Sequence, residues 1–250
     1  MISLKTPTEI DEIAQAGRIL ASLLREIEPR IVPGVSTLEL DAFAEEFIRS
    51  FDGAVPAFKG LYGFPASLCT SLNDEVVHGI PSARRKLKSG DIVSVDAGVK
   101  LGGWFADAAR TFPVGKVAPK TQALLDTTQQ ALQAGIAQAR AGNRLGDVGH
   151  AIQAVAQAAG LGIVRDLVGH GIGREPHEEP QVPNYGERGR GLALQQGLVL
   201  AIEPMLNEGS PSVRTLADRW TVVTADRSRS AHFEHTVAVT ANGPRILTAV

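Results

Sequence analysis

One pattern in this chain occurs once in each half and constrains the fold more than any other feature. GDIVSVDAG and GLVLAIEPM are apolar runs that begin with glycine, and each carries an acid six residues later, Asp96 in the first and Glu203 in the second. Two helix signals come first in each half, and a His-Gly-Ile triplet that begins at His78 or His170 then precedes the run. The spacing of about 100 residues is longer than the repeats of solenoid proteins.

This repeat favours one domain with two similar halves over two separate domains. A chain of 250 residues can fold either way. We expect a single catalytic domain over residues 1–250, with pseudo-symmetric halves at approximately 1–117 and 118–250. Halves that pack face to face bring corresponding residues towards a common axis, so two carboxylates and two histidines should converge there.

Each half is predicted to begin with a helix pair. Apolar residues at helical spacing predict a helix from Thr8 to Ile27, and Ser36 and Glu39 form a capping box that opens a second helix. The second half carries corresponding signals from Thr121 to about Arg140 and from Leu145 to Ala159. The His-Gly-Ile triplets are then expected to form the same turn twice.

Four acids lie in apolar stretches that read as strands: Asp96, Asp107, Glu203 and Glu234. An acid at the end of a strand is often solvated, but four such acids in four apolar runs make that interpretation unlikely for the set. Burying an unpaired charge is costly, and metal ions are the simplest cationic partners. His170 adds an imidazole ligand.

Five ligands, four of them acids, exceed what one tetrahedral zinc ion uses. They suit two ions about 3.5–4 Å apart that hold a bridging water or hydroxide. Oxygen-rich ligation with one imidazole is typical of Mn, Fe, Co or Zn. The predicted cofactor is therefore two divalent ions per chain, and the predicted chemistry is metal-assisted hydrolysis of a bond that this reasoning does not name.

Two further histidines, His78 and His177, are left as free imidazoles near the metals. They could hydrogen-bond a substrate carbonyl or a leaving amine in the transition state. The stretch HEEP after Pro176 is not HExxH, which excludes a zincin. The three other histidines are interpreted as structural ones: His150, His232 and His235.

Composition excludes several classes of function. A net charge of −2 provides no general attraction to nucleic acid or to an anionic membrane. The first residues lack the pattern of a secretory signal, and no stretch holds the roughly 18 apolar residues of a membrane span. The single cysteine, Cys69, suits a reducing compartment. A cytoplasmic protein with neither a membrane nor a specific nucleic-acid partner is expected.

At this point the motifs resemble those of the type I methionine aminopeptidases of peptidase family M24, in their short bacterial form. The resemblance covers essentially the whole chain, and its motifs occur in one order: NDEVVHGIP, VSVDAG, ADAARTF, GHGIGREPHEEP, AIEPM and FEHTV. It implies an α+β "pita-bread" fold with pseudo-twofold symmetry, a curved, largely antiparallel sheet and helices outside. It implies a methionyl aminopeptidase that uses a dinuclear metal-bound hydroxide to remove the initiator methionine before a small second residue.

The resemblance also implies a role for individual residues. The family's metal ligands correspond to Asp96, Asp107, His170, Glu203 and Glu234, and its usual general base corresponds to Glu203. Its substrate-contacting and catalytic histidines correspond to His78 and His177, and its apolar methionine pocket corresponds to Phe64, Cys69 and Trp220. Leu61 and Pro176 depart from the aromatic residues that are common at those positions. A monomer that acts on nascent polypeptides, with transient ribosome contact, is implied.

Two alternatives stay open. Proline-specific aminopeptidases and prolidases use a similar metal set on the same fold, although they normally carry an additional N-terminal domain. A non-catalytic binding protein on this fold would be expected to have lost metal ligands, whereas all five predicted ligands, four acids and one histidine, are present here.

Overall fold

A computed structural model describes residues 2–249 of the chain, which form a mixed α+β structure. The helices are α1 (Pro7–Ile27), α2 (Thr37–Arg49), α3 (Pro119–Gln138) and α4 (Leu145–Ala158), with 3₁₀ turns at Glu28–Arg30 and Leu61–Gly63. The strands are β1 (Val55–Pro56), β2 (Leu68–Leu72), β3 (Glu75–Val77), β4 (Ile92–Leu101), β5 (Trp104–Pro113), β6 (Gly162–Ile163), β7 (Gly169–Gly171), β8 (Glu178–Val182), β9 (Val199–Ile202), β10 (Met205–Asn207), β11 (Val213–Thr215), β12 (Val222–Thr224), β13 (Ser230–His232), β14 (His235–Thr240) and β15 (Gly243–Ile246). None of the helices in residues 2–249 is both long and apolar enough to cross a membrane.

The helices begin where side chains can satisfy the free backbone N–H groups of the first turn. A capping box joins Thr6 to Glu9, so α1 begins at Pro7, one residue before the predicted start. The predicted capping box at the start of α2 is present, with the Ser36 N–H donating to the Glu39 carboxylate at 2.8 Å. These local signals orient both helices of the first half.

The strands form four antiparallel sheets. The first has the order β1-β4-β2, with β5 paired to β4 over ten residues, and the largest has the order β15-β14-β9-β7-β8. Two three-stranded sheets, β13-β10-β6 and β11-β12-β3, complete the arrangement. Helix α1 packs on β4 and β5, and α2 packs on α1, β1 and β2. Helix α3 packs on α4 and on β9, β10, β13 and β15, and α4 packs on α3 and β6. The two helices of each half thus pack on each other and mainly on strands of their own half.

Backbone hydrogen bonds repeat between the halves. The Gly34 N–H donates to the Leu87 carbonyl at 2.8 Å, and the Gly142 N–H donates to the Leu194 carbonyl at 3.1 Å. Both glycines adopt left-handed backbone conformations, with φ of 97° and 95°, which other residues rarely adopt. Each half also has one isolated β-bridge next to these bonds, Ser36 with Lys86 in the first and Arg144 with Ala193 in the second.

The expectation that the two His-Gly-Ile triplets form one repeated turn is wrong. His78 follows β3 in a left-handed conformation with φ of 59°, whereas His170 lies inside β7 and pairs with Ala201 of β9. The first acid-bearing strand, β4, pairs with β2, so Cys69 lies opposite Asp96. The strand before Glu203, β9, pairs with β7. Strand β7 therefore corresponds to β2 and not to the segment that carries His78.

The two triplets share a glycine because the backbone is crowded at both places. A Cβ at Gly79 would lie 2.2 Å from the carbonyl oxygen of Thr70, and a Cβ at Gly171 would lie 2.3 Å from that of Glu179. No side chain fits at such distances. Close backbone packing at both places, and not a common turn, accounts for the glycine that the two triplets share.

Candidate active site

The structure places the four predicted acids around one point between the halves. Asp96 and Asp107 lie on the paired strands β4 and β5, opposite Ala109 and Gly98, and are diagonal neighbours on one face. Glu203 follows the end of β9, and Glu234 lies between β13 and β14.

The prediction that all four acids lie within strands is therefore wrong for Glu203 and Glu234. Pro204 follows Glu203 and has no N–H to continue the ladder. The Glu234 N–H donates at 2.9 Å to the carbonyl of Ala109 on β5, outside its own sheet. Both acids thus lie at breaks in the strands, where the chain turns towards the centre.

A pair of cross-links between β5 and the segment that begins β14 brings Asp107 and Glu234 together. The Asp107 N–H donates to the Thr236 hydroxyl at 2.9 Å, and that hydroxyl donates to the Asp107 carbonyl at 2.8 Å. The bond from the Glu234 N–H to the Ala109 carbonyl adds a further link between the same two segments. Asp107 is thus bonded to Thr236, two residues after Glu234, and Glu234 is bonded to Ala109, two residues after Asp107. These bonds fix both backbones at the interface of the two halves.

Three of the acids are buried with oxygen atoms that have no hydrogen-bond partner within residues 2–249. Asp96, Asp107 and Glu234 are at most 9 % exposed, and the unpartnered atoms are Oδ1, Oδ1 and Oε1. Burial raises the pKa of Asp96 to about 7 and the pKa of Asp107 and Glu234 well above their ordinary values; the neighbouring acids raise the last two further. Buried polar atoms are rarely left unpartnered, so these oxygens indicate a missing cationic partner.

His170 completes the cluster as a nitrogen donor. Its Nδ1–H donates to the carbonyl of Gly171 at 2.9 Å, which leaves Nε2 unprotonated and able to bind a metal. Ligand atoms of Asp107, His170 and Glu234 lie within 4.8 Å of one another. Nε2 is also 3.7 Å from Oε1 of Glu203. Buried carboxylates together with one imidazole whose Nε2 faces them are a set of ligands that fits a divalent cation.

His78 and His177 lie at the edge of this cluster. The rings of His170 and His177 meet edge to face with centroids 4.5 Å apart, and the Tyr62 hydroxyl is 3.4 Å from Nδ1 of His177. Burial, reinforced by His170, lowers the pKa of His177 to about 4, and burial also lowers the pKa of His78. Both imidazoles are therefore neutral at neutral pH, so each can donate one hydrogen bond.

The segment that presents His177 is anchored from the start of the chain. The Lys5 ammonium pairs with the Glu178 carboxylate, which also accepts the N–H of Arg174 at 2.7 Å. Arg174 in turn lies over the Trp104 ring, 3.6 Å from its centroid. This anchoring limits the freedom of the backbone next to His177.

A cavity of about 240 Å³ lies against the cluster, and all ten predicted site residues line it. One side of the cavity is apolar, formed by Phe58, Phe64, Cys69 and Trp220. Phe64 and Trp220 meet edge to face at 5.1 Å. Burial raises the pKa of the Cys69 thiol well above its ordinary value, so the thiol stays neutral and the wall uncharged.

A second cavity of about 420 Å³ lies beyond the same acids and histidines. The two cavities share five residues: His78, Asp96, His170, His177 and Glu203. The second is more polar, with Glu179 and Gln181 among its lining residues. The ligand cluster therefore separates a small apolar pocket from a larger polar groove.

Sequence reasoning missed one residue of this centre and two of the pocket. His232, interpreted from sequence as a structural histidine, is 1 % exposed, and its Nε2 lies 3.4 Å from Oε2 of Glu203. Its place two residues before Glu234 was a signal that it could share a face with an acid. Phe58 and Tyr62 also line the pocket, and neither stands out by pattern.

The raised pKa values lead to a testable result for metal binding. In metal-free protein the buried carboxyls retain protons at a pH where free carboxyls are ionised, and a cation binds only the ionised form. Divalent metal binding should therefore release protons, and affinity should rise as the pH passes upward through about 7, where Asp96 titrates. Calorimetry in buffers of different ionisation enthalpy measures the release. Affinity that is constant across this range would contradict the assignment.

Comparisons with known proteins identify the family of this chain. The model of metallopeptidase family M24 matches residues 11–241. The chain is 53% identical to a methionine aminopeptidase of Clostridium perfringens and 50% identical to methionine aminopeptidase 1 of Bacillus subtilis, each over the full length of both chains.

Structural comparison confirms the predicted α+β pita-bread fold. The crystal structure of methionine aminopeptidase from Thermotoga maritima superimposes with a TM-score of 0.98 at 45% identity, and all of both chains is covered. A prolidase from Pyrococcus furiosus shares the fold with a TM-score of 0.77, at 24% identity, and the match covers 99% of this chain but 65% of that chain. The chain belongs to metallopeptidase family M24 and, within it, to the methionine aminopeptidases.

Proposed function

We propose that this protein is an aminopeptidase that removes methionine from the N-terminus of polypeptides when the second residue is small. The observation that supports it most strongly is the position of the ligand cluster between a small apolar pocket and a polar groove. A pocket of this kind accommodates one apolar side chain, while the groove accommodates the peptide that follows. The scissile bond then lies beside the cluster.

Five residues would hold two divalent ions, Co, Mn, Fe or Zn: Asp96, Asp107, His170, Glu203 and Glu234. When bound, such ions polarise the scissile carbonyl and lower the pKa of water, so that a nucleophile forms at neutral pH. The unpartnered oxygens of Asp96, Asp107 and Glu234 and the free Nε2 of His170 support this assignment. Glu203 lies between two imidazoles and is placed to accept a proton from water and pass it to the leaving amine.

His78 and His177 act on the substrate as neutral hydrogen-bond donors. Their lowered pKa values keep them uncharged, so they add no positive charge that would repel the cations. The left-handed backbone at His78 is a strained conformation of the kind that is retained at functional sites. Donors directed at a developing oxyanion stabilise a transition state more than the bound substrate.

The pocket selects methionine through its shape and its sulfur contacts. Methionine is unbranched and polarisable, and its thioether makes favourable contacts with aromatic rings such as those of Phe58, Phe64 and Trp220. A free N-terminal amine fits beside carboxylates, whereas an acetylated one does not carry the charge they attract. The second residue of the substrate would lie where the pocket meets the groove, beside His78 and His177, and the selection for a small residue there is part of the proposal.

A panel of four short peptides, supplied with each candidate metal, tests the proposal. Met-Ala-Ser should be cleaved after methionine, whereas Met-Leu-Ser and N-acetyl-Met-Ala-Ser should resist. Cleavage of a dipeptide of alanine and proline, with no cleavage of Met-Ala-Ser, would instead favour the prolidase-like alternative. No hydrolysis of any peptide with any of the metals would favour a non-catalytic binding protein.

A further inference from the structure

His232 has a rigid backbone that directs its side chain into the centre. The hydroxyl of Thr111 accepts the His232 N–H at 2.8 Å and donates to the His232 carbonyl at 2.9 Å. On the other side, His232 pairs with Met205 of β10. Thr111 therefore satisfies both backbone groups of His232, and β10 flanks the other side, so the direction of the imidazole is set by the fold.

The imidazole itself has no hydrogen-bond partner, although it is 1 % exposed. Both Nδ1 and Nε2 are buried and have no partner among residues 2–249. Leaving such groups unpaired incurs the cost of removing them from water without compensation. The nearest acid is Glu203, with Oε2 3.4 Å from Nε2 of His232. Packing alone does not account for an imidazole in this place, because an apolar side chain would fill it without that cost.

A half-buried histidine three residues later shows what a structural role looks like. Nδ1 of His235 contacts the Thr248 hydroxyl at 2.9 Å, and His235 lines a cavity on the other side of Glu234 from the pocket, which none of the other predicted site residues lines. Its polar atom is satisfied by the protein, whereas those of His232 are not. The two histidines are therefore a natural comparison.

We propose that His232 is a positioning residue for Glu203. In this role its Nε2, which lies 3.4 Å from Oε2 of Glu203, donates to that oxygen once the metal site is formed and holds the carboxylate in one orientation, with Oε1 directed to the side of His170. The inference rests on the proposed function in one respect, since it takes Glu203 as both ligand and proton acceptor. Outer-shell partners of this kind orient ligands and affect both metal affinity and rate.

Two substitutions of similar shape separate a hydrogen-bonding role from packing. Both His232→Gln and His232→Met place an unbranched side chain in the site, but only glutamine can donate to Glu203. We expect His232→Met to lose about 10- to 100-fold in metal affinity or kcat, with a smaller change in KM, and His232→Gln to stay close to the wild type. His232→Ala serves in place of the methionine variant should that variant fail to fold.

Readouts other than turnover decide the question. Titration with Co(II) gives the affinity, and its visible absorption spectrum reports the geometry around the ion. Both should change in His232→Met and remain close to the wild type in His232→Gln. The control His235→Met should lower the thermal unfolding midpoint and leave the spectrum unchanged.

Two outcomes would overturn the proposal. One is a His232→Met protein with the affinity, spectrum and kcat of the wild type. The other is a His232→Gln protein as impaired as His232→Met. A wild-type protein that binds Co(II) but does not cleave Met-Ala-Ser would instead refute the proposed function, while the spectra would still decide the role of His232.

Discussion

Asp107→Asn should abolish metal-dependent peptide hydrolysis and leave a folded protein. Asp107 is 4 % exposed, its Oδ1 has no partner in the chain, and it shares a cluster with His170 and Glu234. Asparagine has nearly the same shape but no charge, and half of its amide is a donor that a cation repels. The backbone bonds to Thr236 do not involve the side chain, so the fold is retained.

The same substitution should stabilise the metal-free protein at neutral pH. Burial and neighbouring acids raise the pKa of Asp107, so the folded state binds its proton more tightly than the unfolded state does. The contribution of this group to stability is therefore complete below the unfolded pKa and is lost as the pH rises through the folded one. Asparagine resembles the protonated form and avoids that loss.

Thermal unfolding after chelation, with metal analysis and peptide assays, tests both expectations. The unfolding midpoint of Asp107→Asn should exceed that of the wild type near neutral pH, and the difference should shrink towards about pH 4, close to the unfolded pKa. Asp41→Asn is a matched control, because Asp41 is also buried with a raised pKa but accepts N–H groups from Ser67 and Leu68. The control should keep its metal and its activity, because Asp41 lies outside the ligand cluster and an asparagine oxygen can still accept both N–H groups. A fully active Asp107→Asn would refute the metal assignment.

His177→Ala should lower kcat by about 10²- to 10⁴-fold with normal metal content, the range for loss of a positioned acid or hydrogen-bond donor. His177 lines both cavities and contacts Tyr62, but it lies outside the group formed by Asp107, His170 and Glu234. Its contact should form mainly in the transition state, so KM should rise less than kcat falls. His78→Ala should behave in the same way.

His170→Ala provides the contrast. Because its Nδ1 is engaged by Gly171 and its Nε2 faces the acids, loss of this ring should lower metal occupancy and activity together. Added metal should restore part of the activity. Elemental analysis beside steady-state kinetics distinguishes the two histidines. Loss of metal from His177→Ala with full occupancy in His170→Ala would reverse the assignment.

Local signals in the sequence predicted the helices α1 to α4, and the family resemblance implied the fold class. The capping box at Ser36 and the apolar spacing in α1 act within a few residues, so they can be interpreted without knowledge of distant contacts. Acids in apolar runs likewise indicated a centre, because an unpaired charge is improbable in a core whatever the fold. The set of ten predicted residues that line the cavity was accessible to this reasoning together with the family resemblance.

What the sequence by itself determined is the set of chemical groups and the two-part plan; their arrangement was decided by tertiary structure. Three features depend on contacts between distant segments: the bond from Asp107 to Thr236, the place of His170 within β7, and the approach of His232 to Glu203. The physical reason is that sequence periodicity reports which face a residue occupies, but not which strand lies opposite. The similar triplets at His78 and His170 illustrate this, because crowding against different strands requires a glycine at both places.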